Sequence, residues 1–420
     1  MKKLTLLMVL VMLCAACSKD DDTPTVAECL KPTNLSETNL THNSASLQWN
    51  NPNESASISL EYGPSGFEMG TGTTITSNGL SIELSNLQAN TTYDYYLEAS
   101  CSEDNSSLPT TVKSFTTLPP LVVAEFKPTL SELNLYSGPL TDLVPSMYTF
   151  EYKLNTPLYT DYAHKQRLIA LPEGESMVYD GDGLPIFPDN TLIAKTFYYF
   201  NNEMDESLGK QIVETRILIK ANGEWLTGNY VWNESQTEAT LDGNGLELPI
   251  TWVDQNGTPQ NINYKIPAGT DCVMCHKTYE DITPIGPKLR SMNFDVAGNN
   301  QLQNMISQGL LTGSPSPSEI GQLIDWTDVN HPTEERVRAY FDMNCAHCHS
   351  PGTYHNVNFF AAMDLRYETS FEESGIYESR YGIMTRLPSS IPQYSMPYIG
   401  VSLPHQEALD LIIPYLESME

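Results

Sequence analysis

The chain has 420 residues, 40% of them hydrophobic and 18% charged, with a formal charge of −30. That is enough apolar material for several globular cores and excludes a disordered polyelectrolyte. A chain this acidic repels polyphosphate, which excludes nucleic-acid binding, and it favours solubility and a cationic partner.

The N-terminus reads as a targeting segment over residues 1–16. Lys2 and Lys3 form a basic start, Leu4 to Ala16 a short apolar run, and the small residues Ala15 and Ala16 stand directly before Cys17. This arrangement resembles the lipobox of bacterial lipoproteins, although Cys14 occupies a position where that pattern usually has Leu. The resemblance implies cleavage before Cys17, lipidation of Cys17 and a protein anchored to the membrane rather than spanning it. Loss of Lys2 and Lys3 with the signal takes the charge to −32. Residues 17–26 read as a polar tether. Its Ser18-Lys19-Asp20-Asp21-Asp22 is similar to the acidic export tag of some Gram-negative lipoproteins, which implies an outer-membrane anchor facing the periplasm or the surface.

Residues 27–118 read as an all-β module. Ser44 to Trp49 alternates, with Ala45, Leu47 and Trp49 on one face. Leu87 to Tyr93, followed by Tyr95, Leu97 and Ala99, gives a second strand signal. Together these segments resemble a fibronectin type III β-sandwich with its tyrosine corner, whose role would be that of a spacer or a docking module. Thr116 to Pro120 reads as a linker. Residues 121–270 form a second β-rich region, with strands expected at Leu192–Phe200, Ile212–Ile219 and Trp225–Trp232. The Asp180-Gly181-Asp182-Gly183 run matches a calcium loop poorly and reads as a turn.

From Asp271 the pattern turns helical. Helices are expected over Asn300–Leu311, from Pro317 to Trp326, from Thr333 towards Cys345, and over Gln406–Leu416. The expected architecture is multidomain: an N-terminal β-sandwich, a central β-rich domain and mainly α cytochrome c-like lobes over residues 271–332 and 333–420.

The eight cysteines separate cleanly. Cys14 leaves with the signal and Cys17 takes the lipid. Cys29 and Cys101 remain as a pair in an oxidising compartment, where a disulfide is the default. The other four lie in Cys272-Val273-Met274-Cys275-His276 and Cys345-Ala346-His347-Cys348-His349. C-x-x-C-H is the attachment signature of c-type haem: two thiols add across the two vinyl groups of one porphyrin, and the next residue turns its imidazole to the iron. Structural zinc ligands usually recur within about 20 residues, whereas these pairs lie about 70 apart. A thioredoxin-like dithiol would leave both following histidines unexplained. The expected cofactors are therefore two covalently bound haems c, with Cys272, Cys275, Cys345 and Cys348 attaching and His276 and His349 ligating.

For the other face of the second iron, Met396 stands 47 residues after His349 and shortly before the last helix. A Met ligand there would raise the reduction potential. For the first iron the candidates are Met292, Met305, His331 or an open position. Ile285-Gly286-Pro287-Lys288 is similar to the loop whose Pro carbonyl holds the proximal imidazole in cytochromes c. His347, His355 and His405 read as structural or exposed.

Segments from Leu158-Tyr159-Thr160-Asp161-Tyr162, Lys165 and Arg167 through Lys195-Thr196-Phe197, Glu214-Thr215-Arg216 and Tyr230-Val231-Trp232 to the second motif resemble a family of di-haem c-type cytochromes. In that family a β-rich region precedes two haem sites. The resemblance implies an electron carrier that accepts electrons from a partner dehydrogenase. The rivals are a di-haem enzyme of peroxidase type with one open iron, and a haem-based surface sensor.

Overall fold

The computed structural model describes residues 27–53, 55–359 and 363–419. The expected signal, the tether and the Cys17 lipidation site lie outside the described residues, as does Cys14. The chain divides at Pro119/Pro120 into two compact units. It is multidomain and β-rich. Among the described residues no helix is long and apolar enough to cross a membrane.

The first unit is a two-sheet sandwich. Its strands are β1 (Thr33–Thr38), β2 (Ala45–Asn50), β3 (Ser57–Pro64), β4 (Thr73–Ser77), β5 (Ser81–Leu84), β6 (Thr92–Ser102), β7 (Asn105–Ser106) and β8 (Lys113–Thr116). One sheet has the order β1-β2-β5; the other has β4-β3-β6-β7, with β8 also on β6. The period-two pattern selects the inward face: Ala45, Leu47 and Trp49 face Ile58, Leu60, Tyr95, Leu97 and Ala99 in one core. Each fully buried Leu or Ile there contributes about 1.5–3 kcal/mol. The tyrosine corner is present, with the Gln88 amide donating to the Tyr93 hydroxyl at 2.9 Å. Cys29 and Cys101 are bridged.

In the second unit the strands are β9 (Phe150–Glu151), β10 (His164–Ala170), β11 (Met177–Val178), β12 (Leu192–Phe200), β13 (Lys210–Ala221), β14 (Glu224–Trp232), β15 (Ala239–Leu241), β16 (Leu246–Val253) and β17 (Pro259–Ile266). Six of them form an antiparallel sheet of order β15-β14-β13-β12-β10-β9. One face of this sheet (Leu168, Ala170, Leu192, Ala194, Ile217, Ile219) packs on Leu130, Leu133, Leu135 and Leu143. The opposite face (Ile169, Ile193, Leu218) shares a core with the motif-bearing segments. The central β-rich region and the motif-bearing segments thus lie in one compact unit.

The remaining helices are α1 (Cys272–His276), α2 (Leu289–Met292), α3 (Gln301–Ser307), α4 (Thr333–Asn344), α5 (Tyr354–Phe359), α6 (Ile376–Arg386) and α7 (Gln406–Glu417). The C-terminal region is thus less helical than the expected mainly α lobes. The helix expected from Pro317 to Trp326 is a single 3-10 turn, Pro317–Glu319. The chain beyond it bonds outward to its neighbours: the Asn293 side chain donates to the carbonyls of Pro317 and Ile320, and the Leu323 amide donates to the Arg290 carbonyl. Pairing with the α2 segment replaces the intrahelical bonds.

Candidate functional site

The first motif occupies the single turn of α1, so Cys272, Cys275 and His276 are presented from one turn. Immediately after it, Lys277–Thr278 pairs with Asp281–Ile282, and this tight ladder folds the chain back so that Thr283 lies against His276. The Thr283 carbonyl is 2.8 Å from His276 Nδ1, which must carry the proton; Nε2 is left bare for a metal. The resemblance puts the Pro287 carbonyl in the accepting position; in the structure it is the Thr283 carbonyl that accepts. The fold-back brings the nearer residue into range, while Gly286, at φ 115°, turns the Pro287 loop back on itself through a Lys288 amide bond.

The second motif follows α4, whose buried face carries Val337, Tyr340, Phe341 and Asn344 at helical spacing. The amides of Cys348 and His349 both donate to the Cys345 carbonyl, at 3.0 and 2.9 Å, which closes the motif into a tight turn. Asn344 anchors it: its side-chain oxygen accepts the Tyr159 amide at 2.7 Å and its amide donates to the Tyr340 carbonyl.

The two motifs meet. One ligand atom each from Cys275, His347 and Cys348 all lie within 4.8 Å of one another, and the Cys348 thiol donates to the Met274 carbonyl at 3.4 Å. A β-bridge between Thr278 and Thr353 and a hydrogen bond from the Tyr279 amide to the Gly352 carbonyl clamp the flanks. Gly352 is required at that clamp, because it has φ +80° and a Cβ would fall 2.5 Å from the Tyr279 ring. Burial pushes His276 and His349 down to about 4, so both imidazoles are neutral, the form that ligates metals. Burial pushes the Cys345 thiol up to about 12. The Cys348 hydrogen bond holds Cys275 well below the usual thiol range and raises Cys348 in turn.

Each motif borders its own cavity. The cleft beside the second motif, about 650 Å³, is lined by Cys345, His349, Met396, Met363, His355 and Tyr398. Its size falls in the range of small-molecule sites. Met396 is pinned there by its amide bond to the Arg386 carbonyl at 3.0 Å. His349 Nδ1 is buried with no partner among the described residues. A cleft with two thiols in its walls or next to them, a neutral imidazole and a thioether is the donor set of a c-type haem, so the residues fit that group. The first cavity is narrower, about 110 Å³, and lies between Cys272, Cys275 and His276 on one side and the sheet residues Lys195, Arg216 and Asn229 on the other. The Pro397–Val401 segment forms part of its wall.

Met292 is not brought to the site. It is fully buried in the core with Leu302, Met305 and Phe341, because α2 is tied to Gly183 and Asp182 through the amides of Leu289 and Arg290. Met305 shares that core, and His331 lies at the surface near Asp328 and Glu335. His405 stacks on Tyr159 with ring centroids 4.0 Å apart. His355 is buried and lines the second cleft. Sequence reasoning also missed Lys195, which burial and the neighbouring charges of Arg167 and Arg216 push down to about 7.

The fibronectin type III family model matches residues 30–113. No curated protein matches the chain. Among solved structures, a redesigned β-sandwich protein is 30% identical and covers 21% of this chain and 94% of its own, with a TM-score of 0.19. The fibronectin type III domain of human fibronectin type III domain containing protein 3 is 24% identical, covering 23% and 94%, TM-score 0.20. A fibronectin type III domain of human contactin 1 is 17% identical, covering 24% and 94%, TM-score 0.20. The N-terminal sandwich is therefore a fibronectin type III domain.

Proposed function

We propose that the protein is an exported di-haem c-type cytochrome, lipid-anchored through Cys17, that passes electrons from a dehydrogenase partner to a respiratory acceptor. The observation that supports this most is the meeting of two C-x-x-C-H motifs from distant parts of the chain, each with its imidazole neutral and beside a cavity. When bound, a c-type haem supplies one-electron iron chemistry at a potential set by its axial ligands and surroundings. In this reading Cys272, Cys275, Cys345 and Cys348 attach, His276 and His349 ligate, and Met396 offers its sulfur across the second cleft. Contact between the two motifs gives electrons a short path from one site to the other. The dehydrogenase partner and the membrane anchor rest on the sequence resemblances.

Thioether sulfur favours ferrous iron, so Met396→Ala should lower the second haem's potential and open that iron to carbon monoxide. Unchanged potentials and unchanged carbon monoxide reactivity would make Met396 a packing residue. The burial of Met292 away from His276 favours a second reading, an enzyme of peroxidase type whose first iron is open. Peroxide reduction by the wild-type protein, together with carbon monoxide binding at the first haem, would select it.

A further inference from the structure

The sheet face opposite the first motif carries an arrangement of charge that the strands cannot neutralise themselves. The antiparallel register sets Arg167 opposite Lys195, Lys195 opposite Arg216, and Arg216 opposite Asn229. Side chains directly opposed in this way lie about 5 Å apart at Cβ, and like charges so placed repel. Glu214 is fully buried and neutralises Arg216 through two hydrogen bonds, at 3.0 and 2.5 Å. Among the described residues no carboxylate pairs with Arg167 or Lys195. Arg167 is 5% exposed and its Nε has no partner; its Nη1 reaches only the Lys165 carbonyl. Asn229 is 8% exposed, lines the first cavity, and has neither its side-chain Nδ2 nor its Oδ1 paired. In a chain of charge −30, a buried guanidinium with no acid in pairing distance, next to a half-buried lysine and an orphaned amide, is costly. Lys195, Arg216 and Asn229 share their cavity with Cys272, Cys275 and His276.

We propose that Lys195, Arg216 and Asn229, with Arg167 behind Lys195 on the same sheet face, form a carboxylate-binding site that holds the propionates of the haem attached at Cys272 and Cys275. The assignment rests on the haem reading above. The propionates supply the missing counter-charge, and a forked guanidinium and a side-chain amide are suited to a planar carboxylate. The row would also act on the first iron, since positive charge nearby favours its ferrous state.

Lys195→Met tests this in two backgrounds. In the loaded protein the haem count should stay at two, the first haem's potential should fall, the second's should not move, and Lys195→Arg should restore the first. The melting temperature should fall in the loaded protein. In the Cys272→Ala/Cys275→Ala chain, where the carboxylates are gone, the same change should raise it by relieving repulsion. An unchanged first potential, or a melting shift of the same sign in both backgrounds, overturns the proposal. Calorimetric binding of succinate to the loaded wild type, lost in Lys195→Met, would overturn it in favour of a soluble carboxylate. A wild type with no covalent haem removes the haem reading and this proposal together, whereas two haems with no potential shift removes this proposal alone.

Discussion

The two units bury different things. In the fibronectin type III domain the buried face is apolar, and no Asp, Glu, Lys or Arg among its described residues is buried. In the second unit Asp161, Arg167, Glu214, Arg290 and Asp342 are all buried. A buried charge costs several kcal/mol unless it is paired and hydrogen-bonded, so its presence needs a reason. The five fall into two groups. Asp342 accepts from Lys288, Arg290 and the Tyr367 amide, and Arg290 also reaches Glu368 at 2.6 Å; these charges are paired from within and tie α2 to α4. Glu214 is likewise satisfied by Arg216 and the Tyr264 hydroxyl, and Asp161 by the amides of Ser402 and Leu403. Among the described residues Arg167 has no acid partner, and its Nε is unpaired, as are both side-chain polar atoms of nearby Asn229. The buried charges with acid or amide partners hold the architecture together, and Arg167 stands apart from them.

That contrast can be broken at several points. The largest effect is expected from Asp342→Asn, which leaves Lys288 and Arg290 short of a counter-charge and should cost about 3–5 kcal/mol by denaturant unfolding. Burial pushes the Asp342 carboxyl up, but Lys288 and Arg290 outweigh it and hold the group below its usual 3.8. Its stabilisation is therefore complete above that value and lost as pH falls through the lower folded value. A stability difference between the wild type and the Asp342→Asn variant that does not shrink on acidification below pH 3.8 would contradict this.

Replacing Cys29 and Cys101 by Ser should cost about 2–4 kcal/mol, because the bridge closes a loop of sequence separation 72. Only the melting of the fibronectin domain should shift; an equal shift in the second unit would show the two to be one cooperative body. Tyr93→Phe, which removes the acceptor for the Gln88 amide, should be the smallest at about 1 kcal/mol, again confined to that domain.

What could be read from the sequence follows the same division. Alternation at Ala45, Leu47 and Trp49 and the Leu87–Tyr93 corner are local signals, and they identified the sandwich. The C-x-x-C-H spacings are local too. The cation row runs from residue 167 to residue 229 and depends on the register of β10, β12, β13 and β14, so no short window contains it. Thr283 holds His276 because of a two-residue ladder too short to leave a hydrophobic pattern. Met292 stands near His276 in sequence, but the bonds of α2 to Asp182 and Gly183 commit it to the core. Neighbours in sequence were a poor guide to neighbours at the site.

The most direct measurement is a pyridine haemochrome assay joined to mass spectrometry of the intact mature chain, with the Cys272→Ala/Cys275→Ala variant beside it. Two covalent haems per wild-type chain and one in the variant, on a chain beginning with acylated Cys17, is the expected result. A chain with no covalent haem, or one holding zinc at Cys275, His347 and Cys348 in its place, would contradict the assignment of electron transfer.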